Sequence, residues 1–177
     1  LPASIIMANL QSMLHAFPDI FQTTSRCTYQ FNNNIEKFST STKFVTLFFG
    51  LLDPKYHTIS YTNAGHEYPI LLRKDGHERL TTGGVPLGLF PESEYEEGET
   101  DMHPGDLLLI FSDGVTDAFN HEEESLTEER LIEFVIQNRD LDPETLVHRI
   151  CDQIEDFVGD VPQFDDITMI IIKRDDG

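Results

Sequence analysis

Leu107-Leu-Leu-Ile-Phe-Ser-Asp-Gly-Val-Thr-Asp117 is an apolar run that ends abruptly in an acidic, glycine-containing turn. Its unbroken apolar stretch, introduced by Pro104-Gly105, predicts a strand buried on both faces. Such a strand delivers Asp113, and with it Asp117, to its C-terminal mouth. A second run of this kind, Ile167 to Ile172, is immediately preceded by Asp165-Asp166. If the two strands pair antiparallel, the end of one coincides with the start of the other, and Asp113 meets Asp165 or Asp166 at one edge. Clustered carboxylates repel unless a proton or cation intervenes, and a hard divalent ion takes oxygen ligands of this type. On spacing alone the two segments also suit plain acidic turns at strand ends.

Working outward, Ile6, Leu10, Met13, Leu14 and Phe17 fall at helical spacing between Pro2 and Pro18, predicting an amphipathic helix. A polar stretch from Thr23 to Ser25 leads to a second helical segment, Tyr29 to Phe38, with Phe31, Ile35 and Phe38 on one face. From Phe44 the period changes. Phe44 to Leu52, the Asp53-Pro54 break and the alternating Ile59 and Tyr61 predict a β-hairpin. Further strands are expected at Ile70 to Leu72 and Tyr95 to Met102. Ser125 with Glu128 resembles a capping box ahead of Leu131, Phe134 and Val135. Asp142-Pro143 starts, and Gly159 stops, a helix carrying Leu146, Ile150, Ile154 and Phe157. Strands in the middle with helices at both ends predict a single α+β layered domain over residues 1–177.

Composition narrows the function classes. The 32 acidic residues against 12 basic ones give a formal charge of -20, a field that repels nucleic acid and anionic membranes and attracts cations. Cys27 and Cys151 exclude a disulfide framework or a cysteine zinc site and fit a reducing, cytoplasmic setting. No apolar run approaches the roughly 20 residues that span a bilayer, so no membrane insertion is expected. Two loops are of a different character. In Asn63-Ala-Gly-His-Glu67 the asparagine can bond its own backbone, and His66 suits a base, an acid, a ligand or a hydrogen-bonded structural residue. Gly83-Gly-Val-Pro-Leu-Gly88 permits positive φ or close backbone approach. A nucleotide-handling phosphohydrolase would also suit acidic ligands, but no phosphate loop of the Walker type occurs.

Taken in order, Leu1-Pro-Ala-Ser-Ile-Ile-Met7, Phe44-Val-Thr-Leu-Phe48, Asn63-Ala-Gly-His66, Gly84-Val-Pro-Leu-Gly88, Pro104-Gly-Asp106, Ser112-Asp-Gly-Val-Thr-Asp117 and Asp165-Asp-Ile-Thr168 resemble the PPM (type 2C-like) protein serine/threonine phosphatases. The resemblance is to their bacterial SpoIIE/RsbU branch and covers nearly the whole chain. It implies two antiparallel sheets packed as a sandwich flanked by helices, with a two-metal Mn2+ or Mg2+ centre at one end. It also implies Asp113 and Asp165 as metal ligands, with Gly114, Asp166, Asn63 and His66 near the site. The implied reaction is hydrolysis of a phosphoserine or phosphothreonine ester by a metal-activated water, with no nucleophilic side chain.

The implied substrate is a phosphorylated regulatory protein of the anti-sigma-factor-antagonist type, and the implied context is the output domain of a signalling protein. An upstream sensor or receiver domain would act through the first two helices, unless their apolar faces are simply core. A second copy of the chain is a further partner class. One departure matters. Relatives carry an Asp-x-x-Gly-x-Gly segment before the stretch matching Leu1-Pro-Ala, and its aspartate is expected to bridge both metals. Nothing precedes Leu1 in this sequence, so weak metal binding and little hydrolysis are expected from these residues. A catalytically impaired interaction or dimerisation module is the alternative.

Overall fold

The computed structural model describes residues 3–16, 23–38, 43–163 and 165–175, so the bounding Pro2 and Pro18 of the first predicted helix lie outside the described residues. In chain order the elements are helices α1 (Ala3–Ala16) and α2 (Thr24–Phe38), then strands β1 (Leu47–Asp53), β2 (Thr58–Ala64), β3 (Ile70–Arg73) and β4 (Gly76–Arg79). Strands β5 (Gly83–Gly84), β6 (Gly98–Asp101) and β7 (Leu107–Phe111) follow, then helices α3 (Asp113–Thr116), α4 (Glu128–Gln137) and α5 (Pro143–Val158), and strand β8 (Met169–Lys173). Among the described residues the architecture is mixed α+β with two four-stranded sheets. The chain forms two compact units, Leu1–His66 with Leu80–Met102, and Glu67–Arg79 with His103–Gly177.

In the first unit β1 and β2 pair from Leu47↔Ala64 to Asp53↔Thr58. The Asp53 carboxylate closes the hairpin by accepting from the amides of Lys55 at 2.8 Å and Tyr56 at 3.1 Å. The far edge of β2 takes β6 antiparallel and β5 parallel, so one pairing departs from the all-antiparallel expectation. At Asn63↔Gly83 the strands approach so closely that a Cβ on Gly83 would overlap the Asn63 backbone. Helix α2 starts at Thr24 rather than near Tyr29. The cause is remote in sequence: the Glu97 carboxylate accepts from the Thr24 amide and, at 2.7 Å, from its hydroxyl, which also meets Thr62 Oγ1 at 2.8 Å. Leu10, Met13, Cys27, Phe31, Ile35, Ala64 and Leu87 form this unit's core, which takes Leu10 and Met13 of α1 and Phe31 and Ile35 of α2, while Leu14 of α1 is exposed.

In the second unit the order is β4-β3-β7-β8, antiparallel throughout. One sheet face presents Ile70, Leu72, Leu107, Leu109 and Phe111 to Leu131, Ile132 and Val135 of α4 and to Leu146, Ile150 and Ile154 of α5. Each such aliphatic residue taken fully out of water stabilises by roughly 1.5–3 kcal/mol. Leu71 and Leu108 on the opposite face are equally buried, so β7 is covered on both sides as its composition predicts. The expectation fails for β8, where Ile170 is 52% exposed. Among the described residues β8 pairs only with β7, which makes it an edge strand. The α4 N-cap is Thr127, which accepts from the Arg130 amide, and not the expected Ser125. Helix α5 has the predicted ends, with Asp142 accepting from the Thr145 amide at 2.9 Å and Gly159 at φ 60° closing it.

Candidate functional site

The second sheet carries the chemistry-bearing turn at one end of β7. The ladder runs to Phe111↔Met169 and continues one step further, with the Ser112 amide donating to the Thr168 carbonyl at 2.9 Å. Ser112 Oγ accepts from the Thr168 amide at 2.9 Å and donates to the Asp166 carbonyl at 3.1 Å. These bonds tie the chain just before β8 to the chain just after β7. The acidic turn is itself a single helical turn, α3, closed by the Asp117 amide on the Asp113 carbonyl at 2.7 Å. Gly114 is buried in it, and a Cβ there would collide with the Asp166 carbonyl and crowd that of Asp165. Only glycine lets the two acidic segments touch along their backbones.

The expected antiparallel pairing is therefore present, and it brings the Asp113 and Asp165-Asp166 segments to one sheet end. Within the pair, the Asp165 carboxylate accepts from the Asp166 amide at 2.7 Å, which fixes its direction. Asp113, Asp165 and Asp166 are all exposed. A third segment reaches the same end. Because β3 runs antiparallel to β7, with Ile70 opposite Leu109, the residues leading into β3 pass the exit of β7. There the Glu67 carboxyl, exposed but partly desolvated by its neighbours, is pushed above its ordinary pKa, first by that desolvation and then by the charges of Asp113, Asp117 and Glu128. Glu128 is neutralised by Arg79, whose Nε donates to it at 2.6 Å. No lysine or arginine lies within ion-pair distance of Asp113, Asp117 or Asp165 among the described residues.

Sequence reading gave Glu67 no role, although the signal was present. An acid directly ahead of the buried run Ile70–Leu72 repeats the pattern of Asp165-Asp166 ahead of β8. Asn63 and His66 belong to the other unit. The buried Asn63 side chain accepts from the His66 amide at 2.8 Å and donates to its carbonyl at 3.0 Å, so it closes this turn on both sides.

The oxygen donors suit a hard divalent cation in type, and their negative field attracts one. In number they fall short: among the described residues no three His, Cys, Asp or Glu side chains are grouped so as to hold a metal ion. Beside the corner lies a cleft of about 630 Å³ that shares Gly114, Asp117 and Asp165 with it.

By fold, the two sheets and five helices among the described residues match those of PP2C phosphatase domains. The SiaA-PP2C domain of Pseudomonas aeruginosa superposes with a TM-score of 0.81 at 13% identity, over 96% of this chain and 68% of that one. The phosphatase domain of the cell fate determinant SpoIIE from Bacillus subtilis, presoaked with Mn, gives 0.58 at 18% identity, over 97% and 74%. The chain belongs to the Stage II sporulation protein E (SpoIIE) family, which it matches over residues 1–175. It is 37% identical over 132 residues to Protein IcfG of Synechocystis sp., covering 74% of this chain and 21% of that protein. It is 23% identical over 176 residues to Phosphoserine phosphatase RsbU of Bacillus subtilis, covering 98% and 52%. The chain thus spans about a fifth of one curated relative and about half of the other.

Proposed function

We propose that this chain contributes the catalytic corner of a metal-dependent protein serine/threonine phosphatase. The observation that carries the reading is the set of hydrogen bonds joining Ser112 to Thr168 and Asp166, which holds two acidic segments together with no basic residue in ion-pair distance of Asp113 or Asp165 among the described residues. Asp113 and Asp165 would hold Mn2+ or Mg2+, and Gly114 and Asp166 shape the contact between their loops. Asn63 and His66 keep their glycine turn in one conformation. When bound, the ion supplies Lewis acidity and a bound water acidic enough to ionise near neutral pH. The protein's own part is to direct the carboxylates, through the hydrogen bond that the Asp166 amide donates to the Asp165 carboxylate and through the α3 turn, with no lysine or arginine in ion-pair distance among the described residues. Hydrolysis of the phosphoester by water requires no phosphoenzyme, and no side chain here is placed as a nucleophile.

The substrate class is phosphoserine or phosphothreonine on a regulatory protein of the anti-sigma-factor-antagonist type, in a signalling protein with a sensor or receiver domain. The relative named Phosphoserine phosphatase RsbU supports the phosphoserine part of this reading. We place the activity in the cytoplasm; no helix among the described residues is long and apolar enough to cross a membrane. On residues 1–177 alone we propose weak metal binding, because the grouped carboxylates fall short of a complete ligand set. That shortage also favours a second reading, an interaction or dimerisation module with little turnover. The deciding assay is p-nitrophenyl phosphate hydrolysis with Mn2+ for the full-length protein beside its Asp113→Asn variant. We expect a loss beyond the roughly 10–100-fold that follows removal of a mere outer-sphere partner. Equal rates would remove Asp113 from the chemistry.

A further inference from the structure

The cleft beside the acidic corner has a composition that the hydrolytic step does not need. Its floor is apolar, with Ile154 and Ala118 buried and Val158 and Ile167 partly so. Its rim carries Asp117, Glu155 and Asp165, and none of its lining residues is lysine, arginine or histidine. A volume of about 630 Å³ lies within the roughly 300–1,000 Å³ of pockets that enclose small ligands. It would take one large side chain with its flanking backbone.

Resting on the phosphatase reading above, we infer that this cleft seats the substrate segment next to the phosphorylated residue, and that this segment carries an apolar side chain flanked by lysine or arginine. Three observations fit this occupant. Asp165 belongs to both the cleft rim and the corner, so a chain bound in one lies against the other. The charged groups of the rim are all acidic and the protein carries a formal charge of -20, so a bare phosphorylated segment is repelled and a basic one is drawn in. The floor offers no polar side chain that would reward a hydrophilic insert.

The test uses the whole chain and starts without metal. Fluorescently labelled short peptides are titrated by anisotropy: one with a leucine between lysines, one with the leucine replaced by serine, and one with the lysines replaced by glutamate. We expect the lysine–leucine peptide to bind at least about tenfold more tightly than either control, and Glu155→Lys to remove about that factor. Phe119→Ala, at an exposed lining position, should weaken binding without unfolding the protein. Cys151 lines the cleft, whereas burial pushes the Cys27 thiol above its ordinary pKa. Alkylation of Cys151 should therefore slow when the peptide is bound. Equal binding of the three peptides, or no protection of Cys151, overturns the inference. With Mn2+ added, Glu155→Lys should lower turnover of the matching phosphopeptide about tenfold and leave p-nitrophenyl phosphate unaffected. Peptide binding and protection as expected, with no hydrolysis of either substrate by the full-length protein under saturating Mn2+, would retain the cleft as a binding site and sink the phosphatase reading instead.

Discussion

Asp106 shows what a buried carboxylate requires. Its side chain, 4% exposed, accepts from Arg73 Nη1 and from the His103 amide, both at 2.8 Å. Arg73 also pairs with Glu78, and Arg139 donates to the Arg73 and Gly105 carbonyls at 3.1 Å each. Removing the carboxylate leaves a half-buried guanidinium and a turn amide without their acceptor. Asp106→Ala should destabilise by about 2–3 kcal/mol in urea unfolding, less than a fully buried pair would lose, because Arg73 keeps Glu78 and some water. Asp106→Asn still offers the His103 amide an acceptor and should lose clearly less; equal losses would assign the effect to the lost charge rather than to packing or the turn hydrogen bond. Pro104-Gly-Asp106 was readable as a motif, but its partners were not. Arg73 and Asp106 are brought together by strand pairing between β3 and β7, which local spacing does not encode. The same holds for Glu67, whose acidic surroundings come from two other segments.

At the scale of elements, legibility follows how local the determining contacts are. Strand β7 and helix α5 have the ends expected for them, because an unbroken apolar run and an Asp-Pro…Gly frame are complete within their own segments. Helix α2 was misplaced at its start because its cap, Glu97, comes from a distant part of the chain. Strand β4, Gly76–Arg79, was missed because all its side chains are exposed and no apolar alternation marks it. Its existence depends on β3 as a template. Local caps make local predictions. The Asp142 carboxyl is held below its ordinary pKa by hydrogen bonding from Thr145, side chain first and then backbone. A depressed folded pKa means that the unfolded state binds the proton first, so the cap's stabilisation is present at neutral pH and fades as pH falls through the carboxylate range. Asp142→Ala should therefore melt below wild type near neutral pH, and the two melting curves should converge in acid. Asp142→Asn retains an uncharged cap and should show less of this pH dependence; a gap between wild type and Asp142→Ala that persists in acid would refute the ionised cap.

For the whole molecule the governing quantity is a formal charge of -20, which destabilises the folded state by self-repulsion. Any salt should relieve that general term by screening. The corner adds a specific one: Asp113, Asp117 and Asp165 face no lysine or arginine among the described residues, and Glu67 already resists ionisation beside them. A cation that binds there stabilises the folded state by mass action, about 1.4 kcal/mol at roughly ten times its Kd. Mg2+ or Mn2+ should thus raise the melting temperature more than NaCl at equal ionic strength, with the excess appearing only at high divalent concentration because the ligand set is incomplete. The variant Asp113→Asn with Asp165→Asn should keep the NaCl response, since most of the charge remains, and lose the divalent excess. Identical responses to the two salts in the wild type would leave the corner as two acidic turns without an ion to hold. Tight two-site binding by calorimetry would instead show that the residues present complete the centre.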